Sequence, residues 1–178
     1  MDVSLSNNKV RLRALEPEDL DFLYRVENDP EIWEVSSTLA PYSRFLLKQY
    51  LDQAHQDIHI AKQLRLVICT PDSPEALGFI DLFEFDPKNK RVGLGILVYE
   101  PEDRRKGYAK VTVELILPYC FEHLGMHQVF ANIGAQNKAS ISLFEQLGFK
   151  NTGTKKDWNW HSSGYTDELI YQYINEES

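Results

Sequence analysis

Apolar and polar residues alternate in short runs along the first half of the chain, and helical spacing separates these runs. Residues 10–14, 64–69 and 77–85 read as strands, because their apolar positions alternate or form short β-branched runs. Between the first two strands, apolar residues three and four apart predict two helices that each bury one face. Residues 31–42 carry neither pattern clearly, so we expect a looser connection there.

The centre of the chain joins a strand directly to a helix. Residues 94–99 are short, apolar and partly β-branched, which is typical of a buried strand and completes a three-stranded meander. After Asp103 the apolar residues recur at helical spacing, which predicts a helix with one buried stripe. Pro118 lies within that pattern, so we expect it to kink the helix or end it.

The remainder of the chain predicts one more strand and helix and then a closing hairpin. Residues 128–133 read as a strand, and residues 138–147 read as a helix that Gly148 caps. The β-rich runs at residues 150–160 and 165–174 are separated by a short polar turn, which is typical of a hairpin. The element order therefore predicts a protein of mixed helices and strands, of the α/β (α+β) class.

Composition favours one domain and limits the class of partner. The chain has 178 residues, of which 43% are hydrophobic, and this suffices for one core, so we expect a single domain over residues 1–178. The 19 lysines and arginines against 27 aspartates and glutamates give a net charge of −8. This charge argues against nucleic acid or an anionic membrane as a partner.

The sequence lacks the patterns that are typical of membrane, secreted and metal-binding proteins, which argues against these three classes. No apolar run approaches the roughly 18 residues of a membrane span, and the start of the sequence lacks a signal-peptide pattern. Cys69 and Cys120 are far apart, and the 5 histidines show no metal-binding spacing. We therefore expect a cytoplasmic protein with two core cysteines and no metal.

Three consecutive cations, Arg104, Arg105 and Lys106, stand where the central strand meets the central helix. We expect them in the first helical turn, whose free amides already carry partial positive charge. A bound polyanion would offset this unfavourable placement, and Gly107 would let a phosphate approach the backbone closely. A basic, solvated helix start is the alternative interpretation.

Residues 104–109, Arg-Arg-Lys-Gly-Tyr-Ala, resemble the Arg/Gln-x-x-Gly-x-Gly/Ala signature of the GNAT superfamily of N-acetyltransferases. Residues 137–140 and the Leu-Gly-Phe at residues 147–149 resemble a second signature of that superfamily. The chain is similar in particular to spermidine acetyltransferases and to ribosomal-protein N-terminal acetyltransferases. The resemblance implies a mixed, mostly antiparallel sheet with flanking helices and a splayed central strand pair.

The same resemblance implies an acetyl-CoA-dependent N-acetyltransferase that acts by direct attack of a primary amine. The implied acceptor is a polyamine, another small amine or a protein N-terminus. Trp158, Trp160 and Tyr165 of the hairpin suit core or homodimer contacts. The alternative function is an inactive CoA-binding sensor or assembly module, because Phe144 stands where many members carry a proton-donating tyrosine.

The resemblance also implies which residues hold the cofactor. The signature loop would bind the pyrophosphate of acetyl-CoA, and the backbone of the central strand would pair with the pantetheine arm. Two asparagines would add contacts near the start of the last helix. The implied cofactor-binding residues are Leu97, Val98, Tyr99, Arg104, Arg105, Lys106, Gly107, Tyr108, Ala109, Asn132 and Asn137.

Acetyl transfer from a thioester needs an unprotonated amine and a proton source for the departing thiolate. Glu84 matches an acidic position of related polyamine acetyltransferases and is the candidate base, with Asp81 as the rival. Strand alternation places these two carboxylates on opposite faces unless a bulge intervenes. Ser140, on the helix face of Phe144, is the candidate proton donor, with helix capping and a cofactor contact as alternatives.

An acidic and aromatic segment precedes the second predicted helix and suits a cationic amine. Its members are Glu27, Asp29, Glu31, Trp33 and Glu34. A solvated loop explains the same charges. We expect substrate recognition to fall on this segment and on the closing hairpin, since the central join is used by the cofactor.

Overall fold

A single mixed sheet runs through the computed structural model, which describes residues 3–176. The strands are β1 (Arg11–Arg13), β2 (Leu64–Thr70), β3 (Ser73–Asp86), β4 (Arg91–Val98), β5 (Gln128–Gly134), β6 (Lys150–His161) and β7 (Gly164–Ile174). They lie in the order β1-β2-β3-β4-β5-β7-β6. Only β4 and β5 pair in parallel among the described strands. The predicted mixed, mostly antiparallel sheet is therefore confirmed.

Helices flank the sheet on both faces. They are α1 (Leu20–Glu27), α2 (Pro30–Ser36), α3 (Arg44–Gln53), α4 (Ile58–Ala61), α5 (Tyr108–Pro118) and α6 (Lys138–Gln146). Short 3-10 turns at Pro17–Asp19 and Pro101–Asp103 precede α1 and α5. Over residues 3–176, none of the helices has both the length and the apolar character that crossing a membrane requires.

The prediction of a loose connection over residues 31–42 was wrong, because α2 lies within it. Asp29 caps this helix, since its side chain accepts a hydrogen bond of 2.9 Å from the amide of Glu31. Pro30 takes the first helical position, where its missing N–H costs nothing. Two local signals thus start a helix in a segment whose apolar pattern is weak.

Pro118 ends the α-helical part of α5, as expected. The chain continues from there as one π-helical turn, Tyr119–His123. Proline has no amide N–H to donate and its ring crowds the carbonyl four residues earlier, which accounts for the change of helix type. Gly148, with a φ of 92°, follows α6 in the left-handed conformation of a C-terminal cap, which is also confirmed.

Two apolar layers bury the two faces of the sheet. Leu23 of α1 and Leu47 of α3 pack with Val67 and Phe79 of the sheet on one face. On the other face α5 and α6 cover the alternate residues of the same strands, among them Ile80. Burial on both faces explains why β2 and β3 read as nearly continuous apolar runs.

A β-bulge interrupts β3 at Glu84. The register with β4 shifts within residues 83–86, and Glu84 takes a left-handed φ of 48°. Because of the bulge, Phe85 packs in the same core as Ile80. Regular strand alternation would place these two side chains on opposite faces, and the bulge that the sequence analysis allowed for removes that alternation.

Strands β4 and β5 separate soon after they meet. Their parallel pairing joins residues 91–93 to residues 128–130 and extends no further within the described chain. Beyond it β4 runs on to Val98 without β5, while β5 stays paired with β7 as far as Gly134. This confirms the splayed central strand pair.

Candidate active site

The gap between β4 and β5 leaves one edge of β4 open. The amide of Tyr99 donates to β3, whereas the carbonyl of Lys90 accepts bonds of 2.7 and 3.2 Å from the residues that lead into β5. Backbone groups of a strand alternate between its two neighbours, so even-numbered positions of β4 face β5. The positions that direct both their N–H and C=O groups into the gap are Ile96 and Val98.

The loop in front of α5 gathers free backbone amides beside this gap. Gly107 is the N-terminal capping residue of α5 with a φ of 84°, and Arg105 has a φ of 65°. Left-handed residues of this kind turn successive N–H groups toward one point. Residues 108–110 have no acceptor within the helix for their amides, and no side chain from the described chain caps them. This is an anion-binding geometry.

Arg104 begins the signature and holds the end of β4. Its guanidinium donates to the carbonyl oxygens of Val98 at 3.1 Å and Tyr99 at 2.7 Å. The expectation that residues 104–106 form the first turn of the helix was wrong, since α5 begins at Tyr108. The cause is Gly107, whose left-handed backbone makes it the cap and leaves the cations in the loop.

The other cations around this loop are arranged differently. Lys106 forms an ion pair of 2.9 Å with Asp103, and this hydrogen bond raises the pKa of the lysine. Arg105 is exposed. Lys9 donates to the backbone carbonyl of Lys106, and its ammonium lies 5.6 Å from the centre of the Tyr108 ring. A fourth cation thus stands at the same loop.

The two candidate base residues have different surroundings. Glu84 is exposed on its bulge. Asp81 accepts two hydrogen bonds from Arg65, of 2.7 Å from Nε and 2.9 Å from Nη2. Both carboxylate oxygens of Asp81 are thus held by one guanidinium in a bidentate ion pair.

A cavity of about 620 Å³ lies between α1, α3 and strands β2 and β3. The charged residues of its wall are Glu27, Arg65 and Asp81. Arg65 also donates to Glu27 Oε1 at 2.6 Å, and its guanidinium lies over the Phe79 ring with 4.6 Å to the ring centre. Burial by itself would lower the pKa of the Arg65 guanidinium. The carboxylates of Asp81 and Glu27 have the larger effect, so the pKa is raised.

The acidic segment predicted for amine binding divides in the structure. Glu27 belongs to the cavity wall. Asp29 instead caps α2 and accepts a hydrogen bond of 2.8 Å from the hydroxyl of Tyr99. Burial and this carboxylate raise the pKa of that hydroxyl. Trp33 donates at 2.7 Å to the carbonyl of Glu27. Much of this segment therefore has structural partners.

Helix α6 positions three of the residues singled out from the sequence. Asn137 caps the helix, because its side-chain oxygen accepts a hydrogen bond of 3.1 Å from the amide of Ser140. Ser140 is half-buried in the first turn. Phe144 is 3% exposed and packs edge-on against Phe149 with ring centres 4.9 Å apart, so it belongs to the core. Asn132 is exposed on β5.

Neither cysteine is suited to form an acyl-enzyme. Burial raises the pKa of the Cys120 thiol to about 12. Cys69 is buried and donates to the carbonyl of Arg11 at 3.4 Å. A nucleophilic cysteine needs an accessible thiolate, so the site favours direct attack by the amine.

Sequence reasoning missed two residues of this region. Arg65 interrupts an otherwise apolar strand, and a charge in a buried run signals carboxylate partners on neighbouring elements. Lys9 offered no such signal, because its contact with Lys106 joins residues 97 positions apart.

These features have counterparts among known proteins. The model of the acetyltransferase (GNAT) domain matches residues 9–150. The spermidine N(1)-acetyltransferase of Vibrio cholerae is 27% identical over 147 residues, which cover 83% of this chain and 82% of that protein. The spermidine N(1)-acetyltransferase of Escherichia coli K12 is 28% identical over 149 residues, covering 83% and 76%.

The fold agrees with a solved structure of the same group. The crystal structure of the Vibrio cholerae spermidine N-acetyltransferase in complex with CoA and spermine matches with a TM-score of 0.83 at 23% identity, covering 94% of this chain and 96% of that one. Because the domain model spans most of the sequence, the chain belongs to the GNAT acetyltransferase family. Acetyl-CoA is the acetyl donor of this family.

We expect Gly107→Ala to weaken CoA binding about tenfold, which corresponds to about 1.4 kcal/mol. The left-handed backbone costs alanine about 1–2 kcal/mol, so the loop would relax and its amides would lose their common direction. The added Cβ would also stand 3.1 Å from Lys9 Nζ. Titration calorimetry with CoA measures the change.

Gly125→Ala is the matched control. Gly125 also has a left-handed φ, of 68°, with open space around it, but it lies beyond the far end of α5. We expect a comparable loss of thermal stability and a CoA affinity within about twofold of the parent. Equal CoA affinities for both variants would contradict the role given to the loop.

Proposed function

We propose that the protein transfers the acetyl group of acetyl-CoA by direct attack of a primary amine, which is a polyamine, another small amine or a protein N-terminus. One observation carries the proposal: the open edge of β4 lies beside the start of α5, where no side chain of the described residues binds the first amides. An extended arm pairs with an open strand edge, and a diphosphate meets free helix amides. Membership in the GNAT family supports this assignment.

The backbone around the join supplies most of the proposed cofactor site. The amides of the Gly107 loop and of the first turn of α5 face the pyrophosphate, while Arg105 and Lys9 add positive charge. We assign the pantetheine pairing to the backbone of Ile96 and Val98, which points into the gap. Leu97 and Tyr99 occupy odd positions and direct their amides toward β3. Asn132 and Asn137 remain proposed cofactor contacts.

Glu84 is the proposed general base. As the amine nitrogen bonds to the thioester carbon it becomes acidic, and the carboxylate takes its proton. Two observations support this role: the side chain is exposed, and its left-handed backbone carries strain of a kind that collects at functional sites. The bulge thus sets Glu84 apart from the regular strand, opposite residues 91–93 of β4 and next to the point where the gap begins.

Ser140 is the proposed proton donor to the sulfur that leaves, directly or through water. Its hydroxyl lies at the start of α6, whereas Phe144 is packed into the core. Because Asn137 caps the helix, the Ser140 hydroxyl is not needed for that purpose. The C–S bond breaks, the sulfur gains this proton and CoA leaves as its thiol, while the proton that Glu84 took from the amine returns through solvent to the serine oxygen.

The proposal also covers the cellular compartment and the oligomeric state of the protein. We treat the chain as one acetyltransferase domain of the cytoplasm, where its two free thiols stay reduced. We also propose a homodimer, because Trp160 and Tyr165 of the hairpin are 70% and 65% exposed and a second copy would cover them.

The purified protein should release CoA thiol from acetyl-CoA in the presence of an accepted amine. A panel of polyamines, small monoamines and N-terminal peptides, followed by thiol detection and mass spectrometry of the product, tests this. A mass increase by one acetyl group on the amine supports the proposal. CoA binding without thiol release from any amine would favour the inactive CoA-binding module instead.

We expect Glu84→Gln to lower kcat about 100-fold at neutral pH while leaving CoA affinity unchanged, because only proton removal is lost. The deficit should shrink as pH rises, because hydroxide then takes the proton from the attacking nitrogen in place of the missing carboxylate. Glu75→Gln is the control, because Glu75 is exposed on the same strand. A pH-independent deficit would argue for a structural role.

Ser140→Ala should lower kcat about tenfold, at the lower end of effects from general acids. Ser142→Ala, on the exposed side of the same helix, serves as the control. With an aryl thioester, whose thiolate leaves without protonation, we expect the Ser140→Ala deficit to disappear. A deficit that persists with the aryl thioester would remove Ser140 from the role of donor.

A further inference from the structure

The cavity between α1 and α3 leads toward the open part of β4. Arg65, Asp81 and Gly95 stand opposite one another across β2, β3 and β4, so they form one row on one face of the sheet. Gly95 has no side chain and lies in the part of β4 that β5 has left. Asp81 of the cavity wall is therefore the direct cross-strand neighbour of Gly95, beside the gap where the proposed cofactor arm lies.

Phe83 lies on the same face of β3, opposite Gly93 of β4. A Cβ built on Gly93 would lie 2.3 Å from the Phe83 ring, so the ring rests directly on that glycine. The same ring meets Phe130 of β5 edge-on, with 5.7 Å between centres. A Cβ built on Gly95 would lie 3.9 Å from the same ring, in ordinary van der Waals contact, so Phe83 leaves more room at Gly95 than at Gly93.

The cavity wall carries one uncompensated negative charge. Glu27 and Asp81 contribute two carboxylates, and Arg65 between them contributes one guanidinium. Arg65 holds its proton firmly, since both carboxylates raise its pKa. Asp81, whose side chain is 35% exposed, keeps free lone pairs for one ammonium. The remainder of the wall is formed by uncharged side chains.

Apolar and aromatic groups make up much of that uncharged wall. They include Leu23, Leu46, Leu47, Tyr42 and Tyr50. Burial is the main cause that raises the pKa of the Tyr50 hydroxyl, which therefore stays neutral. A volume of about 620 Å³ is within the range of small-molecule sites. Such a wall suits an apolar body, and it offers further ammonium groups only uncharged acceptors, among them the amide oxygens of Gln49, Gln53 and Gln63.

We propose that the acceptor is a primary amine with a single positive charge next to an apolar or aromatic body. Arg65 determines this specificity, because its guanidinium occupies the place between two carboxylates that a second ammonium would need. Linear polyamines carry several ammonium groups, and each one buried without a partner weakens binding. The inference rests on the proposed acetyltransferase function and narrows its substrate class.

Competition between amines tests the proposal. With 2-phenylethylamine, isoamylamine and spermidine as acceptors, we expect kcat/KM for the monoamines to exceed that for spermidine at least tenfold. Peptides that begin with phenylalanine or leucine form a further arm. Their preference over the free monoamines would support the same chemistry and identify a polypeptide as its source. Equal or better use of spermidine would overturn the proposal.

Two variants add negative charge in different ways. Arg65→Gln removes the guanidinium and should shift the preference toward spermidine about tenfold, but it also unpairs two carboxylates and can impair folding. Leu46→Asp adds a carboxylate at a cavity wall residue that is 48% exposed, and it leaves the Arg65 bridge intact. We expect the same shift from it. An unchanged preference in folded Leu46→Asp would contradict the proposal.

Ile60→Asp is the matched control for added charge. Ile60 is 75% exposed on α4, whose neighbour Ile58 packs on the opposite face of the sheet. We expect its amine preference to match the parent. Should no amine release thiol, the proposed function fails, and calorimetry of amine binding to the CoA-bound protein still tests the cavity. Tighter spermidine than monoamine binding there would overturn the specificity claim by itself.

Discussion

The early separation of β4 from β5 is the constraint on which the rest of the structure depends. Parallel pairing stops after residues 91–93, so the following even positions of β4 keep backbone donors and acceptors without a strand partner. Backbone polar groups of this kind need a partner, either in the protein, in solvent or in a ligand. Arg104 takes one of them, the carbonyl of Val98, and thereby ties the loop before α5 to the open strand.

The two halves of the site use different chemistry. The cofactor half relies on backbone amides and a left-handed glycine, which many sequences can supply. The proposed acceptor half is a cavity lined by side chains from four separate elements, among them Glu27, Arg65 and Asp81. This division accounts for a fold that persists at 23% identity to the spermidine enzyme of Vibrio cholerae, while the acceptor is free to differ.

Charge is distributed so that each half attracts a different ligand. The chain as a whole has a net charge of −8, yet Arg105, Lys106 and Lys9 gather around one loop. Local positive charge among amides suits a polyanion. Inside the cavity the balance is reversed, with two carboxylates bridged by Arg65.

Periodicity, proline, glycine and two short signatures were enough to predict the seven strands, the sheet class and the family, because these depend on local backbone preference and on which side chains avoid water. The short helices α2 and α4 were not predicted. The start of α5 was misplaced because Gly107 caps the helix, a backbone conformation that spacing alone does not reveal. Tertiary structure alone decided the face of Phe85, through a bulge, and the partners of Arg65, which come from α1 and β3. Such features depend on distant parts of the chain meeting in space.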